Sequence, residues 1–406
     1  MKRAFLRSRV KSSQCAKIWA NIKRCLKTSK ESVLTKAPDR IEVPAAWYGE
    51  ALAQTPDAWT WRLSDLDIAE LVGAAKAFID SGDALSGITR EAFSLPHLGP
   101  RLQRLVHELK SGLGFALLTG FPSEEHSREL NATVFCGLGA HLGHARSQNA
   151  AGHILGHVKD LGADAQDVNA RIYQTSARQT FHTDSSDVVG LLCLREAKEG
   201  GESLLVSTIT IYNEMMARCP NLAALLFEPV ATDRRGEVPP GELPYFLIPV
   251  LNWHDGALTG IYQRQYIESA QRFEGAPRLS ERYIEALDLF DALANDPALH
   301  LKMRLAPGDM QFVYNHTNLH DRTGFTDWPE PEQRRHLLRL WLSLPDDRTL
   351  PPFLLSVTAV SKSATVAGSL LKDRVWSRRC HPEILLQGLA GAREGRWGQS
   401  PEVLCA

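Results

Sequence analysis

No two cysteines in this chain are spaced C-x-x-C. The seven present (Cys15, Cys25, Cys136, Cys193, Cys219, Cys380 and Cys405) are scattered and odd in number, which excludes a disulfide framework and a zinc ribbon. No apolar run approaches the roughly 18 residues that span a bilayer, and no secretory signal pattern is present, so a cytoplasmic chain with no membrane partner is expected. Neither charge dominates: 46 Lys plus Arg face 47 Asp plus Glu, a net charge of −1, so no overall field draws the chain to nucleic acid. Internal repeats and low-complexity runs are also missing. The G-x-G-x-x-x-G spacing of Gly137, Gly139 and Gly143 misses the dinucleotide fingerprint and is assigned to turn geometry.

What is present is a chain of 406 residues, 44% apolar, able to bury a large core. Its ends differ from its middle. Residues 1–30 hold ten Lys or Arg and no Asp or Glu. The segment 1–40 is therefore a basic N-terminal extension, a flexible arm with a mitochondrial transit peptide as the alternative. Beyond Pro351-Pro352 the periodicity weakens, and 353–406 is set outside the core, leaving 41–352 as the main domain.

In that middle, Ser64 caps an expected helix to about Phe78, with Ile68, Leu71, Val72 and Ala75 on one stripe. A second helix is expected over Arg101 to Leu109 and a third from Ser280 to Leu293. Short apolar runs read as strands: GFALLTGFP at 114–122, then Val188 to Leu194, Leu204 to Val206, Phe246 to Leu251, Leu258 to Tyr262, Met310 to Tyr314 and Leu337 to Leu344. Glu199-Gly200-Gly201, Pro239-Pro240-Gly241 and Pro307-Gly308-Asp309 supply turns. The expected class is α+β, mainly β, a jelly-roll-type barrel with flanking helices.

His182 and Asp184, in FHTDSSDVVGLLCL, would share one face of a strand, since residues i and i+2 point the same way. A His-x-Asp pair becomes a metal centre with a third donor, and His316 and His320 both offer one. Two His and one carboxylate suit non-heme Fe(II). Fifteen residues after His320, Arg335 shares a strand face with Leu337 and Arg339. An inward arginine needs an anion, and the far carboxylate of 2-oxoglutarate would take its fork. Ser203, after the Gly200-Gly201 turn, is a candidate hydroxyl donor. The stretches Ser147-Gln148-Asn149 and His153 to His157 are read as surface loop, with a place at the substrate entrance as the alternative.

In this order the motifs resemble the taurine dioxygenase (TauD/TfdA-like) family of Fe(II)- and 2-oxoglutarate-dependent oxygenases, over about 114–350. The resemblance implies a double-stranded β-helix (jelly-roll/cupin-like) fold, with His182, Asp184 and His320, rather than His316, as metal ligands and catalytic residues. It implies Arg335 as the 2-oxoglutarate arginine, Arg339 as a helper for substrate or cosubstrate anions, and Ser203 where a Thr or Ser assists. The cofactors implied are Fe(II), 2-oxoglutarate and O2. The reaction implied is oxidative decarboxylation to succinate and CO2, coupled to hydroxylation of a small organic substrate, with self-association left open. Asp184 argues against a halogenase.

Similar chains close the catalytic region with a stretch like AERYGSVEIGDRGGI. Leu354 to Ser369 admits codons that spell it from the third base, so 353–406 is read as a frameshifted tail. A catalytically impaired or regulatory small-molecule-binding protein of the same fold is the alternative. A metal hydrolase finds no H-E-x-x-H to support it.

Overall fold

The computed structural model describes residues 37–149, 152–162, 172–238 and 241–354. Most of the basic extension, nearly all of the 353–406 tail and Pro239-Pro240 of one expected turn lie outside the described residues.

Local chemistry sets the helix starts. Helix α1 (Asp65–Ser81) opens on a capping box: Ser64 Oγ accepts from Asp67 N–H at 3.2 Å, and Asp67 Oδ2 accepts from Ser64 N–H at 2.8 Å. It runs to Gly82, whose φ of +74° ends it in the left-handed region. Helix α2 spans Gly99–Ser111. Helices α3 (Arg128–Leu142) and α4 (Thr208–Arg218), capped by Ser127 and Ser207, are additions to the sequence expectation. Helix α5 (Glu281–Ala294) starts at the expected cap, Ser280.

The glycine pattern is corrected by α3. Gly137 and Gly139 sit inside this helix, and they serve close packing instead of turning the chain. A Cβ on Gly137 would lie 2.4 Å from the Phe93 ring, and one on Gly139 would lie 2.8 Å from Leu340.

Two sheets carry the strands relevant to the site. The larger contains β1 (Thr60–Arg62), β2 (Phe115–Thr119), β3 (His144–Ala145), β4 (Leu155–Val158), β6 (Val188–Arg195), β9 (Met310–Tyr314) and β11 (His336–Ser343). Its order is β1-β2-β9-β6-β11-β3, with β4 also on β11. The smaller has the order β8-β7-β10-β5, from β5 (Gln179–His182), β7 (Ser203–Ser207), β8 (His300–Met303) and β10 (Asn318–Arg322). Strands β9 and β10 are only four residues apart in sequence yet lie in different sheets. The expected run Phe246 to Leu251 is likewise two strands, Tyr245–Ile248 and Leu251–His254.

Side-chain alternation makes the layers. Leu338, Leu340 and Leu342 of β11 pack outward on α1 to α3, whereas Leu337 points inward to Leu205, Leu301 and Val313. Leu204 and Val206 of β7 face α4 and α5 while Leu205 joins that same interior. Each such buried Leu or Val contributes about 1.5–3 kcal/mol. Helical layers therefore cover both sheets, and the content is mixed α/β. No helix among the described residues is long and apolar enough to cross a membrane.

Candidate metal centre

Strands β5 and β10 pair antiparallel with His320 opposite His182, and the two imidazoles lie 4.2 Å apart between centroids. Asp184 completes the group: its Oδ1 is 4.0 Å from His182 Nε2 and its Oδ2 is 3.7 Å from His320 Nε2. One donor atom from each residue lies within 4.8 Å of the others. The expectation that His182 and Asp184 share a strand is corrected here, because β5 ends at His182. Asp184 is placed instead by its own backbone N–H, which donates to Asn315 Oδ1 at 3.0 Å.

The donors are prepared by their neighbours. His182 Nδ1 donates to Thr180 O at 2.9 Å, which leaves Nε2 as the lone-pair nitrogen, and the Gln179 amide donates to that atom at 2.9 Å. Burial, reinforced by His182, pushes His320 down to about 3, so its ring is neutral. Burial alone would raise the Asp184 carboxyl. Arg339, the two imidazoles and the Trp341 indole outweigh it and hold the group below the usual carboxylate range. Trp341 Nε1 donates to Asp184 Oδ2 at 2.8 Å, and Arg339 Nη1 stands 3.5 Å from the same oxygen. Two imidazoles and one carboxylate form the donor set that fits Fe(II).

A cavity opens beside the triad, with Arg335, Arg339, Arg322, Ser203, Tyr173 and Leu337 in its lining. Arg335 stands one residue before β11, is 6% exposed, and has no hydrogen-bond partner for its guanidinium among the described residues. Burial lowers it to about 10, so it remains charged at neutral pH. Arg339 is engaged, donating from Nε to Gln148 Oε1 at 2.7 Å. Ser203 Oγ is buried and donates to Gln311 Oε1 at 3.0 Å.

His316 does not join the triad. Its Nε2 lies 3.0 Å from Asp187 and 3.7 Å from Asp347, in a separate cluster. The reading of 147–149 and 153–157 as surface loop holds only in part: Asn149, His153 and His157 are exposed, but the rest of the two stretches is not. Ser147 is buried, Gln148 clamps Arg339 through side chain and backbone, and Leu155–Val158 is a strand on β11.

Trp341, Gln179 and Asn315 are the site neighbours that sequence reasoning passed over. Only Trp341 carried a local signal, since it follows Arg335, Leu337 and Arg339 at period two.

The sequence profile of the taurine catabolism dioxygenase TauD, TfdA family matches residues 81–341. FR-33289 synthase of Streptomyces rubellomurinus is 34% identical over 308 residues, covering 74% of this chain and 91% of that protein. A taurine hydroxylase-like protein of Stachybotrys chartarum is 32% identical over 335 residues, 79% of this chain and 84% of that protein. The crystal structure of an asparagine oxygenase in complex with Fe(II), 2S,3S-3-hydroxyasparagine and succinate superposes with a TM-score of 0.56 at 20% identity, over 70% of this chain and 93% of that one. With the profile running from the last residue of α1 through most of β11, the chain belongs to the TauD/TfdA family of Fe(II)- and 2-oxoglutarate-dependent dioxygenases.

Proposed function

We propose that His182, Asp184 and His320 hold the Fe(II), and that Arg335 takes the far carboxylate of 2-oxoglutarate. The observation that carries this reading is the convergence of the three donors beside a buried arginine that lacks an anion. When bound, the iron supplies the O2 chemistry that couples decarboxylation of 2-oxoglutarate to hydroxylation of the substrate. The chain's own residues hold and orient. Thr180 O keeps the His182 lone pair on the metal side. Trp341 and Arg339 keep Asp184 ionised. Val189, Leu191, Leu305 and Leu337 line the cavity with apolar surface, which strengthens the Arg335 interaction by excluding water.

Ser203 assists at the cosubstrate end by turning its hydroxyl from Gln311. Arg339 adds positive charge for substrate or cosubstrate anions. The two sheets form the double-stranded β-helix of this domain, which spans 41–352. The substrate class proposed is a small polar or zwitterionic molecule, in keeping with taurine in the family's description and hydroxyasparagine in the superposed structure.

The test is succinate release with Fe(II), 2-oxoglutarate and a panel of amino acids, betaines and sulfonates. Turnover in the wild type and none in His182→Ala, Asp184→Ala or His320→Ala is the expected result. Undiminished turnover in any of the three would remove that residue from the triad.

A further inference from the structure

A second and larger cavity, of about 200 Å³, lies between the start of α3 and the start of β11, and its lining includes none of the three triad donors. Two wall residues leave donor-capable atoms buried without a partner, Ser123 Oγ and His126 Nε2, while the unpartnered Asn131 Oδ1 is an amide oxygen that only accepts and does not favour an anion. Ser123 is 4% exposed and Asn131 3%. A buried hydroxyl left unbonded costs about 1–3 kcal/mol, so a ligand or water that satisfies it is favoured. The cavity also receives the N-terminus of α3, a helix of 15 residues in which Ser127 Oγ takes the Leu130 N–H and the N–H groups of Arg128 and Glu129 have no intrahelical acceptor.

Charge points the same way. Arg128, Lys159, Arg195, Arg334 and Arg335 line the cavity against three carboxylates, Glu124, Asp160 and Glu332. Glu124 is taken by Arg195 at 3.2 Å, and Asp160 Oδ1 accepts from Gly162 N–H at 2.8 Å. Arg128 and Lys159 meet no carboxylate at ion-pair distance among the described residues. The half-buried His336, also in the wall, registers the excess. Burial and then His157 lower it most, and Lys159, Arg128 and Arg195 each lower it further, to about 3.

We propose that this cavity is a binding site for a tetrahedral oxyanion of the phosphate class, held by the α3 N-terminus, Ser123, Arg128 and Lys159. The ligand is free inorganic phosphate or the phosphoryl end of a small organic molecule, and both offer the acceptor oxygens these donors need. The site is independent of the iron reading. Arg335 lines both cavities, whereas Ser123, Arg128 and Lys159 line only this one.

The test is calorimetric titration of the full chain, without iron or 2-oxoglutarate, using inorganic phosphate in one series and phenyl phosphate in another. Saturable binding is expected, weakened about tenfold or more in Lys159→Met and in Arg128→Gln, as loss of a charged hydrogen bond implies. In the wild type the His336 imidazole, followed by 15N NMR, should take up its proton at higher pH when phosphate is present. Binding of inorganic phosphate alone assigns the site to the free anion, and binding of the ester assigns it to a phosphorylated molecule. No saturable binding of either, or equal binding by both variants, overturns the proposal.

Discussion

Trp341 donates its indole N–H to Asp184 Oδ2 at 2.8 Å, across 157 residues of sequence. The contact ties the final strand of the larger sheet to the carboxylate of the triad. It leaves Asp184 Oδ1 without that competitor and fixes the rotation of the group. Partners of this kind, one step removed from a metal, typically change its affinity by about 10–100-fold.

Trp341→Phe keeps the ring and removes the donor. Fe(II) affinity, titrated anaerobically by calorimetry, should fall by about 10–100-fold with little change in thermal stability. Affinity equal to wild type would show that Arg339 alone holds the carboxylate.

Arg335→Ala should raise KM for 2-oxoglutarate by about tenfold to a hundredfold, the equivalent of a lost charged hydrogen bond of about 1.5–3 kcal/mol. The effect on kcat should be smaller. Saturation kinetics for succinate release would check this, and an unchanged KM would move the role to Arg339.

Gly137→Ala places a methyl 2.4 Å from the ring of Phe93, which is fully buried against α3. Overpacking of this sort costs about 1–3 kcal/mol, outweighing the gain in helix propensity. Chemical denaturation should show a lower midpoint with an unchanged slope.

His336 has a folded-state pKa near 3 against an ordinary value of 6.5, so between these values the unfolded chain binds the extra proton. Its contribution is fully favourable to folding above about pH 6.5 and is lost as pH falls toward 3. The slope contributed is at most about 1.4 kcal/mol per pH unit. In phosphate-free buffer, His336→Gln should flatten the acid side of the stability profile. A profile identical to wild type would contradict the assignment.

Much of this architecture was legible because the signals are local. Ser64 and Ser280 start helices where their hydroxyls cap free N–H groups, and the Met310 to Tyr314 strand is bounded as its turn residues imply. Helix α3 was not legible: its two internal glycines weaken helix propensity, and the close approach of Phe93 and Leu340 that requires them is visible only once the layers are packed. The same holds for Gln148, a polar residue in a short polar stretch whose partner, Arg339, lies 191 residues away.

By itself, the sequence determined the donor types, the strand and helix signals around them, and the period-two face that carries Arg335, Leu337, Arg339 and Trp341. These follow from covalent geometry and side-chain chemistry within a few residues. The tertiary structure decided which donors meet. The register of β5 against β10 sets His320 opposite His182, while His316, four residues earlier and before β10, is drawn to Asp187. It also decided that Asp184 is positioned by Asn315 and not by strand pleating, and that the Arg339 guanidinium is engaged by Gln148 while that of Arg335 has no hydrogen-bond partner among the described residues. Strand pairing is a choice among distant segments, made by burying whole faces at once, and no local pattern encodes it.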